Sequence, residues 1–263
     1  MLKQPHHTNA KKASVLHKIG LRRRPFVMSC DYRGDGFGTK GKSLKFMKDM
    51  DFQNAWEETA ERHKHVAGEN APDIRWRAHT ALWAAQNALQ LEGDFVECGV
   101  FSGILSLMVC KYFNFAQYTD KNFFLFDTWE GIPAENGTEQ EKQAAKEKNK
   151  NYYTRNGDVY SVVEKSFSAY PNVKMIQGTL PETLDKAQIQ KISYLSMDLN
   201  SATYEQACIE KLWPKLVKGA VVLLDDYGFQ AFRPQQDMWD DFAAEKGLKV
   251  LTLPTGQGLV IKP

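Results

Sequence analysis

From Asp94 onward, short apolar runs alternate with amphipathic stretches, and the runs finish on acids or glycine. "DFVECGV", "NFFLFDT", "VKMIQG", "ISYLSMDL" and "GAVVLLDDY" read as strands. Helical stretches or turns follow them: "SGILSLMVCKYFNF", "VYSVVEKSFSAY", Pro181 to Gln190, "TYEQACIEKLWPKL" and "QDMWDDFAAEKG". Strands separated by helices pair in parallel through crossovers, and strands covered on both faces read as near-continuous apolar runs. The ending breaks the pattern. "KVLTLP" and "GLVIKP" are separated only by "TGQG", too short for a crossover, so the final strand must run antiparallel. The alternation therefore predicts an α/β fold: a doubly wound, mainly parallel, seven-stranded sheet with an antiparallel last strand.

Ligands of such sheets bind beyond the carboxyl ends of the strands. Those ends read Glu97, Asp127, Gly178, Asp198 and the adjacent Asp225-Asp226. Neighbouring carboxylates at the mouth of a buried strand repel each other and are costly to desolvate. Each could cap the helix that follows it. Asp198, Asp225 and Asp226 together, on neighbouring strand ends, point instead to a bound cation. In "VECGVFSG", glycines 99 and 103 permit a sharp strand-to-helix turn and close approach of a ligand, and the next helix offers free N–H groups. Phe101 stands at the middle glycine of the dinucleotide fingerprint, so a pyrophosphate is poorly served. Asp127, 28 residues after Gly99, is placed to accept both hydroxyls of a ribose or to cap "TWEGIP". Gly178-Thr179 falls where an adenine edge would be read.

The rest of the chain frames this edge. With 263 residues, 43% apolar and 25% charged, there is material for one large domain with a small appendage. Residues 1–43 read as a basic, partly ordered arm, and 44–263 as the functional domain, with helices over 44–92 and a charged insertion over 134–158. That insertion is either a solvated excursion or a lid that excludes water. Residues 1–50 carry 12 Lys/Arg against 3 Asp although the whole chain is only +2. This admits a nucleic-acid contact, but a solvated basic arm explains it as simply. No run approaches the ~20 apolar residues of a membrane span, and the N-terminus lacks the apolar core of a signal peptide. Cys30, Cys98, Cys110 and Cys208 have no metal-type spacing and read as reduced packing thiols of a cytoplasmic protein.

"GDFVECGVFSG", "LFDTWEGIP", "MDLNSATYEQA" and "GAVVLLDDYGF" in that order resemble the macrocin O-methyltransferase family. The resemblance runs from about Ile74 to the C-terminus. It implies a Rossmann-like methyltransferase sheet, S-adenosylmethionine and Mg²⁺ as cofactors, and methylation of a hydroxyl on a sugar or other polyhydroxylated small molecule. It further implies that Glu97, Gly99, Val100, Ser102 and Gly103 line the methionine part of the cofactor, with Asp198 beside it. Asp127 and Thr128 would take the ribose, and Gly178 and Thr179 the adenine edge. Asp198, Asp225 and Asp226 fall on the family's metal ligands, and Asp198 on its proposed general base. The sequence departs from the pattern in three places. Asn200 stands where a second acid is common, the usual tyrosine is displaced to Tyr204, and Gly103-Ile104 replaces a glycine pair.

The chemistry suits these residues. A sulfonium methyl group is already activated, whereas an un-ionised hydroxyl is a weak nucleophile. A hard dication prefers oxygen ligands and lowers the pKa of a bound hydroxyl; the remainder is positioning. His79, Tyr204, Tyr227 and Gln257 are candidates to face the acceptor, although His79 also reads as a structural histidine. A homodimer is the expected assembly. On the residues alone two other readings stay open: an NAD(P)-dependent sugar-modifying enzyme, and a non-catalytic nucleic-acid-binding module.

Overall fold

The computed structural model describes residues 30–153 and 157–263. The first described elements are a hairpin, β1 (Tyr32–Gly34) and β2 (Phe37–Thr39), and two helices, α1 (Met50–Ala67) and α2 (Arg75–Ala88). Asp49 starts α1 by accepting from the Phe52 amide at 2.9 Å, which satisfies one of the N–H groups that a helix leaves unpaired. The hairpin falls within the span read as an arm. Its Tyr32 is buried and donates to the Asp73 carbonyl at 2.7 Å, just ahead of α2.

The predicted sheet is present. Its strands are β3 (Asp94–Cys98), β4 (Phe123–Asp127), β5 (Val173–Gln177), β6 (Ile192–Met197), β7 (Leu216–Leu224), β8 (Leu251–Thr252) and β9 (Gly258–Ile261). They lie in the order β5-β4-β3-β6-β7-β9-β8. The pairs within β5 to β7 are parallel, while β9 runs antiparallel to both β7 and β8. The strand order reverses beside β3, where the crossovers leave to opposite sides and open a crevice.

Side chains alternate across a strand, so each apolar run feeds two cores. Phe95, Phe123, Leu125, Tyr194, Val221 and Leu223 face α1, α2, α3 (Ile104–Tyr112) and α5 (Val159–Phe167). Val96, Phe124, Phe126, Leu195, Val222 and Leu224 face α6 (Ala202–Leu212) and α7 (Arg233–Glu245). Burying one such Phe or Leu contributes roughly 1.5–3 kcal/mol, so these strands have no freedom to slip by one residue. Among the described residues Cys98, Cys110 and Cys208 are buried free thiols, and no helix is long and apolar enough to cross a membrane.

The described part of the insertion holds a helix. A reciprocal capping box between Thr138 and Glu141 starts α4 (Glu139–Lys148), and a π-helical turn, Asn149–Tyr153, continues it. This polar helix is tied down by Glu141, which accepts from Ser201 Oγ at 2.6 Å and Thr203 Oγ1 at 2.9 Å at the start of α6.

Candidate functional site

Two hollows meet at the carboxyl edge of the sheet, sharing Gly99, Phe101, Tyr153, Asp198 and Asn200 as common walls. The turn after β3 creates the meeting point. Gly99 has φ +86°, and a Cβ there would collide with the Asp198 carbonyl; only glycine lets the ends of β3 and β6 touch. Gly103, at φ +73°, begins α3 where a Cβ would come within 2.9 Å of the Phe167 ring. Phe101 between them is left-handed at φ +47°, an uncommon conformation for a bulky residue. Asp127 holds it there. Its Oδ2 accepts from the amides of Val100 at 2.6 Å and Phe101 at 2.8 Å, and its Oδ1 from Trp129 N at 2.7 Å. Trp129 Nε1 closes the loop by donating to the Phe101 carbonyl at 3.0 Å.

The first hollow opens over β4 and β5, lined by Asp127, Thr128, Trp129, Ile132, Gly178, Leu180 and Tyr204. A carboxylate has about four acceptor sites, so Asp127 still has room for a ligand hydroxyl. Thr128 Oγ1 donates to the Gly131 carbonyl at 2.5 Å. The Thr179 carbonyl turns to Thr183, accepting from its amide at 3.1 Å and Oγ1 at 3.0 Å. Tyr204 is buried on this wall, and its hydroxyl accepts from Asn136 N at 3.3 Å.

The second hollow holds Glu97, Val100, Ser102, His63, Arg77, Lys148, Tyr152, Asp225, Asp226 and Phe232 besides the shared walls. Glu97 is buried and, among the described residues, its Oε2 has no hydrogen-bond partner. Burial, with Asp225 and Asp127 adding to it, pushes its carboxyl up to about 8. A buried carboxyl oxygen without a partner calls for a proton or a cationic ligand.

The acid cluster is already partly balanced. Arg77, reaching from α2, pairs with Asp225 Oδ2 at 2.5 Å and Asp35 Oδ2 at 2.5 Å, and lies 3.8 Å from Asp226 Oδ1. Gln257 Nε2 donates to Asp225 Oδ1 at 3.0 Å, and Thr255 donates to Gln257 Oε1 at 3.1 Å. Both oxygens of Asp225 are thus engaged. Asp198 Oδ1 accepts from Asn200 Nδ2 at 3.0 Å. Lys148 donates to Asn200 Oδ1 and lies 4.0 Å over the Phe232 ring. Burial and the charges of Asp225 and Asp226 push Asp198 well above the ordinary carboxylate range. Burial and Asp225 raise Asp226 to about 6 against the pull of Lys148 and Arg77. Among the described residues no three His, Cys, Asp or Glu side chains converge as a metal centre.

The sequence expectations therefore divide. Glu97, Gly99, Val100, Ser102, Asp198, Asp225 and Asp226 meet around the hollows, as do Asp127, Thr128 and Gly178. Three of the four candidates for facing the acceptor line neither hollow. His79 stacks on Phe46 with ring centroids 4.0 Å apart and meets Trp76 edge-on, so its apolar ring faces are used in packing. Tyr227 is buried in the core and donates to Asp240 at 2.6 Å. Gln257 is fully buried and contacts the site through Asp225. Arg77 stands beside Asp225-Asp226 as a cation of the chain's own. Arg77, Lys148, His63, Asp35 and Tyr153 were not singled out from the sequence. Each projects from a hairpin, helix or insertion whose spacing carries no sign of a partner elsewhere in the chain.

The sequence profile described as Macrocin-O-methyltransferase (TylF) matches residues 50–252. Mycinamicin III 3''-O-methyltransferase of Micromonospora griseorubida is 23% identical over 185 residues, 64% of this chain and 71% of that protein. Demethyldecarbamoylnovobiocin O-methyltransferase of Streptomyces niveus is 27% identical over 165 residues, 58% of this chain and 59% of that protein; this chain thus spans under two thirds of it. The solved O-methyltransferase NovP superposes with a TM-score of 0.64 at 19% identity, covering 84% of this chain and 99% of that one. That is a likeness of fold.

Proposed function

Since this chain belongs to the macrocin-O-methyltransferase family, we propose that it transfers the methyl group of S-adenosylmethionine to a hydroxyl of a sugar or another polyhydroxylated small molecule. The observation that carries this reading is the orphaned, buried Glu97 carboxyl beside the glycine turn. It suits the α-ammonium of an amino-acid-bearing nucleoside, whose ribose would lie over Asp127 in the adjoining hollow. A nicotinamide dinucleotide has no such ammonium, and Phe101 blocks the close approach its pyrophosphate would need.

Transfer forms a carbon–oxygen bond to the acceptor as the carbon–sulfur bond breaks, leaving S-adenosylhomocysteine. The hydroxyl proton needs an acceptor, and we assign that role to Asp198. It stands on the wall shared by both hollows, between the two ligand positions. The oxygen-only donor set and the mutual repulsion of Asp198 and Asp226 suit a hard dication such as Mg²⁺. Asp198 and Asp226 would hold it, with Asp225 kept alongside by Arg77 and Gln257. When bound, it supplies the charge that lowers the acceptor hydroxyl's pKa. Asn200 orients Asp198 through their 3.0 Å hydrogen bond. The insertion up to Tyr153 acts as a lid, held at Ser201 and Thr203 by Glu141 and packed on Phe101 by Tyr152 and Tyr153.

Calorimetric titration with S-adenosylhomocysteine, NAD and a single-stranded oligonucleotide tests the reading, followed by methyl transfer from labelled S-adenosylmethionine to a glycoside panel. Binding of the first ligand only, with label on an acceptor hydroxyl, is expected. Activity lost in a chelator and restored by Mg²⁺ would support the metal assignment; full turnover in excess chelator would remove it. Binding of NAD or oligonucleotide alone would overturn the whole reading.

A further inference from the structure

The second hollow holds a buried hydrogen-bonded pair. His63, on α1, is 7% exposed, and its Nδ1 lies 2.6 Å from Ser102 Oγ. Ser102 is 5% exposed and sits in the turn that leads into α3. Both line the same hollow as the orphaned Glu97. Burial holds the imidazole neutral, its pKa pushed down to about 4, so it carries one N–H and one lone pair.

The end of the cofactor that Glu97 would meet is a zwitterion. Its carboxylate cannot turn toward Asp198, Asp225 or Asp226, which would repel it. Arg77 is committed to Asp35 and Asp225, and Lys148 to Asn200. Of the Ser102, Tyr152 and Tyr153 hydroxyls left in this hollow, Ser102 alone sits at the N-terminal end of α3, where the helix dipole favours an anion. A hydroxyl has a single proton. If Ser102 gave it to His63, only lone pairs would face the carboxylate. If Nδ1 carries the proton and donates to Oγ, the hydroxyl proton is free to point into the hollow.

We propose that His63, as its Nδ1–H tautomer, is a positioning residue that aims the Ser102 hydroxyl at the carboxylate of the cofactor's amino-acid end. Glu97 takes the ammonium of the same group. This rests on the S-adenosylmethionine reading, and the test separates the two. Wild type and the variants Ser102→Ala, His63→Leu and His63→Asn are titrated with S-adenosylhomocysteine and with methylthioadenosine, the same nucleoside without the amino-acid end. Ser102→Ala and His63→Leu are each expected to weaken S-adenosylhomocysteine roughly ten-fold. The double variant should lose little more than either alone, since the two act as one unit. His63→Asn, which can offer an N–H in place of Nδ1–H, should recover most of the loss. Methylthioadenosine should bind all variants as it binds wild type. Equal losses for both ligands, or additive losses in the double variant, would overturn the proposal by showing general damage to the turn. If His63→Leu fails to fold, Ser102→Ala carries the comparison between ligands alone. If wild type binds neither ligand, the cofactor reading falls and this inference falls with it.

Discussion

The β3–β4 side of the site and the β6–β7 side are built in different ways. On the first, the turn after β3 is fixed by the acid that ends the neighbouring strand, Asp127, acting on the backbone amides of Val100 and Phe101. On the second, the strand ends supply carboxylates whose partners come from remote parts of the chain. Arg77 lies 148 residues from Asp225 and 42 from Asp35, and Lys148 lies 52 from Asn200. The charge logic differs as well. Glu97 keeps one buried oxygen without a hydrogen-bond partner among the described residues, whereas Asp225 is fully engaged by a guanidinium and an amide. The first side is a frame of backbone groups fixed by one carboxylate. The second is an assembly of side chains from the hairpin, α2, the insertion and the last turn.

If the two sides are separable, damage to one should spare the other. Asp198→Asn is the strongest test, because it removes the proposed proton acceptor yet keeps the side chain's size and its place beside Asn200. Methyl transfer should fall on the order of 10²–10⁴-fold, with S-adenosylhomocysteine affinity within about threefold of wild type. A matching loss of affinity, seen by calorimetry, would show that the two hollows act as one.

Arg77→Met asks whether the second side depends on its internal cation for folding. The guanidinium is 11% exposed and Asp225 9%, so removing it leaves a buried acid pair with one cation fewer. Losing one partner of a buried pair costs roughly 3–5 kcal/mol, to be measured by urea denaturation. Adding Asp225→Asn should recover part of that loss. Recovery of nothing would mean that Arg77 stabilises through packing on Phe229, over which it lies at 4.7 Å, more than through charge.

The first side has its own handle in the Glu97 proton. In the free protein burial raises this carboxyl from 4.5 to about 8, so at pH 7 it is mostly protonated. A bound ammonium favours the carboxylate, so binding should release up to one proton, and the release should fade as pH rises through 8. Calorimetry in buffers of different ionisation enthalpy reads this directly. Glu97→Gln should abolish the release and weaken binding by about 1.5–3 kcal/mol. The stability sign is also fixed. A raised carboxyl pKa penalises the folded state progressively as pH climbs from 4.5 through 8, so the glutamine variant should gain on wild type at alkaline pH and match it in acid.

The same contrast explains what the sequence disclosed. All seven strands of the main sheet and the direction of the last were legible, because a strand buried on both faces cannot hide its apolar run, and "TGQG" is too short to cross over. Glu97, Asp127, Asp198 and Asp225-Asp226 were legible as strand ends. Arg77 was not, because in "DIRWRAHTALW" helical periodicity says which face is apolar and nothing about which distant acid an arginine will meet. His63 was hidden for the same reason in "ERHKHVA". His79 drew attention as a titratable ring near the first strand, and aromatic packing on Phe46 and Trp76 outweighed that signal. The hairpin around Asp35 was masked by its Gly- and Lys-rich composition, which resembles that of a solvated arm.

The smallest expected effect lies at the lid, and it sharpens the comparison from outside both hollows. Burial alone would raise Glu141, but hydrogen bonds from Ser201, Thr138 and Thr203 hold it low, at about 2. Its stabilising share is therefore present above the ordinary carboxylate range and lost as pH falls from about 4.5 toward 2. The side chain is half-buried, so water replaces part of what the contact provides. Glu141→Ala should lower global stability by less than about 1 kcal/mol, a shift of a few degrees at most by calorimetry. The local consequence is the informative one. With the capping box and the tie to α6 both gone, α4 should fray, and limited proteolysis between 134 and 153 should quicken several-fold. Affinity for S-adenosylhomocysteine should barely change if the lid serves the acceptor side. A loss there as large as that of Glu97→Gln would instead make the insertion part of the cofactor frame, and Tyr153, on the wall between the hollows, would be the first residue to suspect.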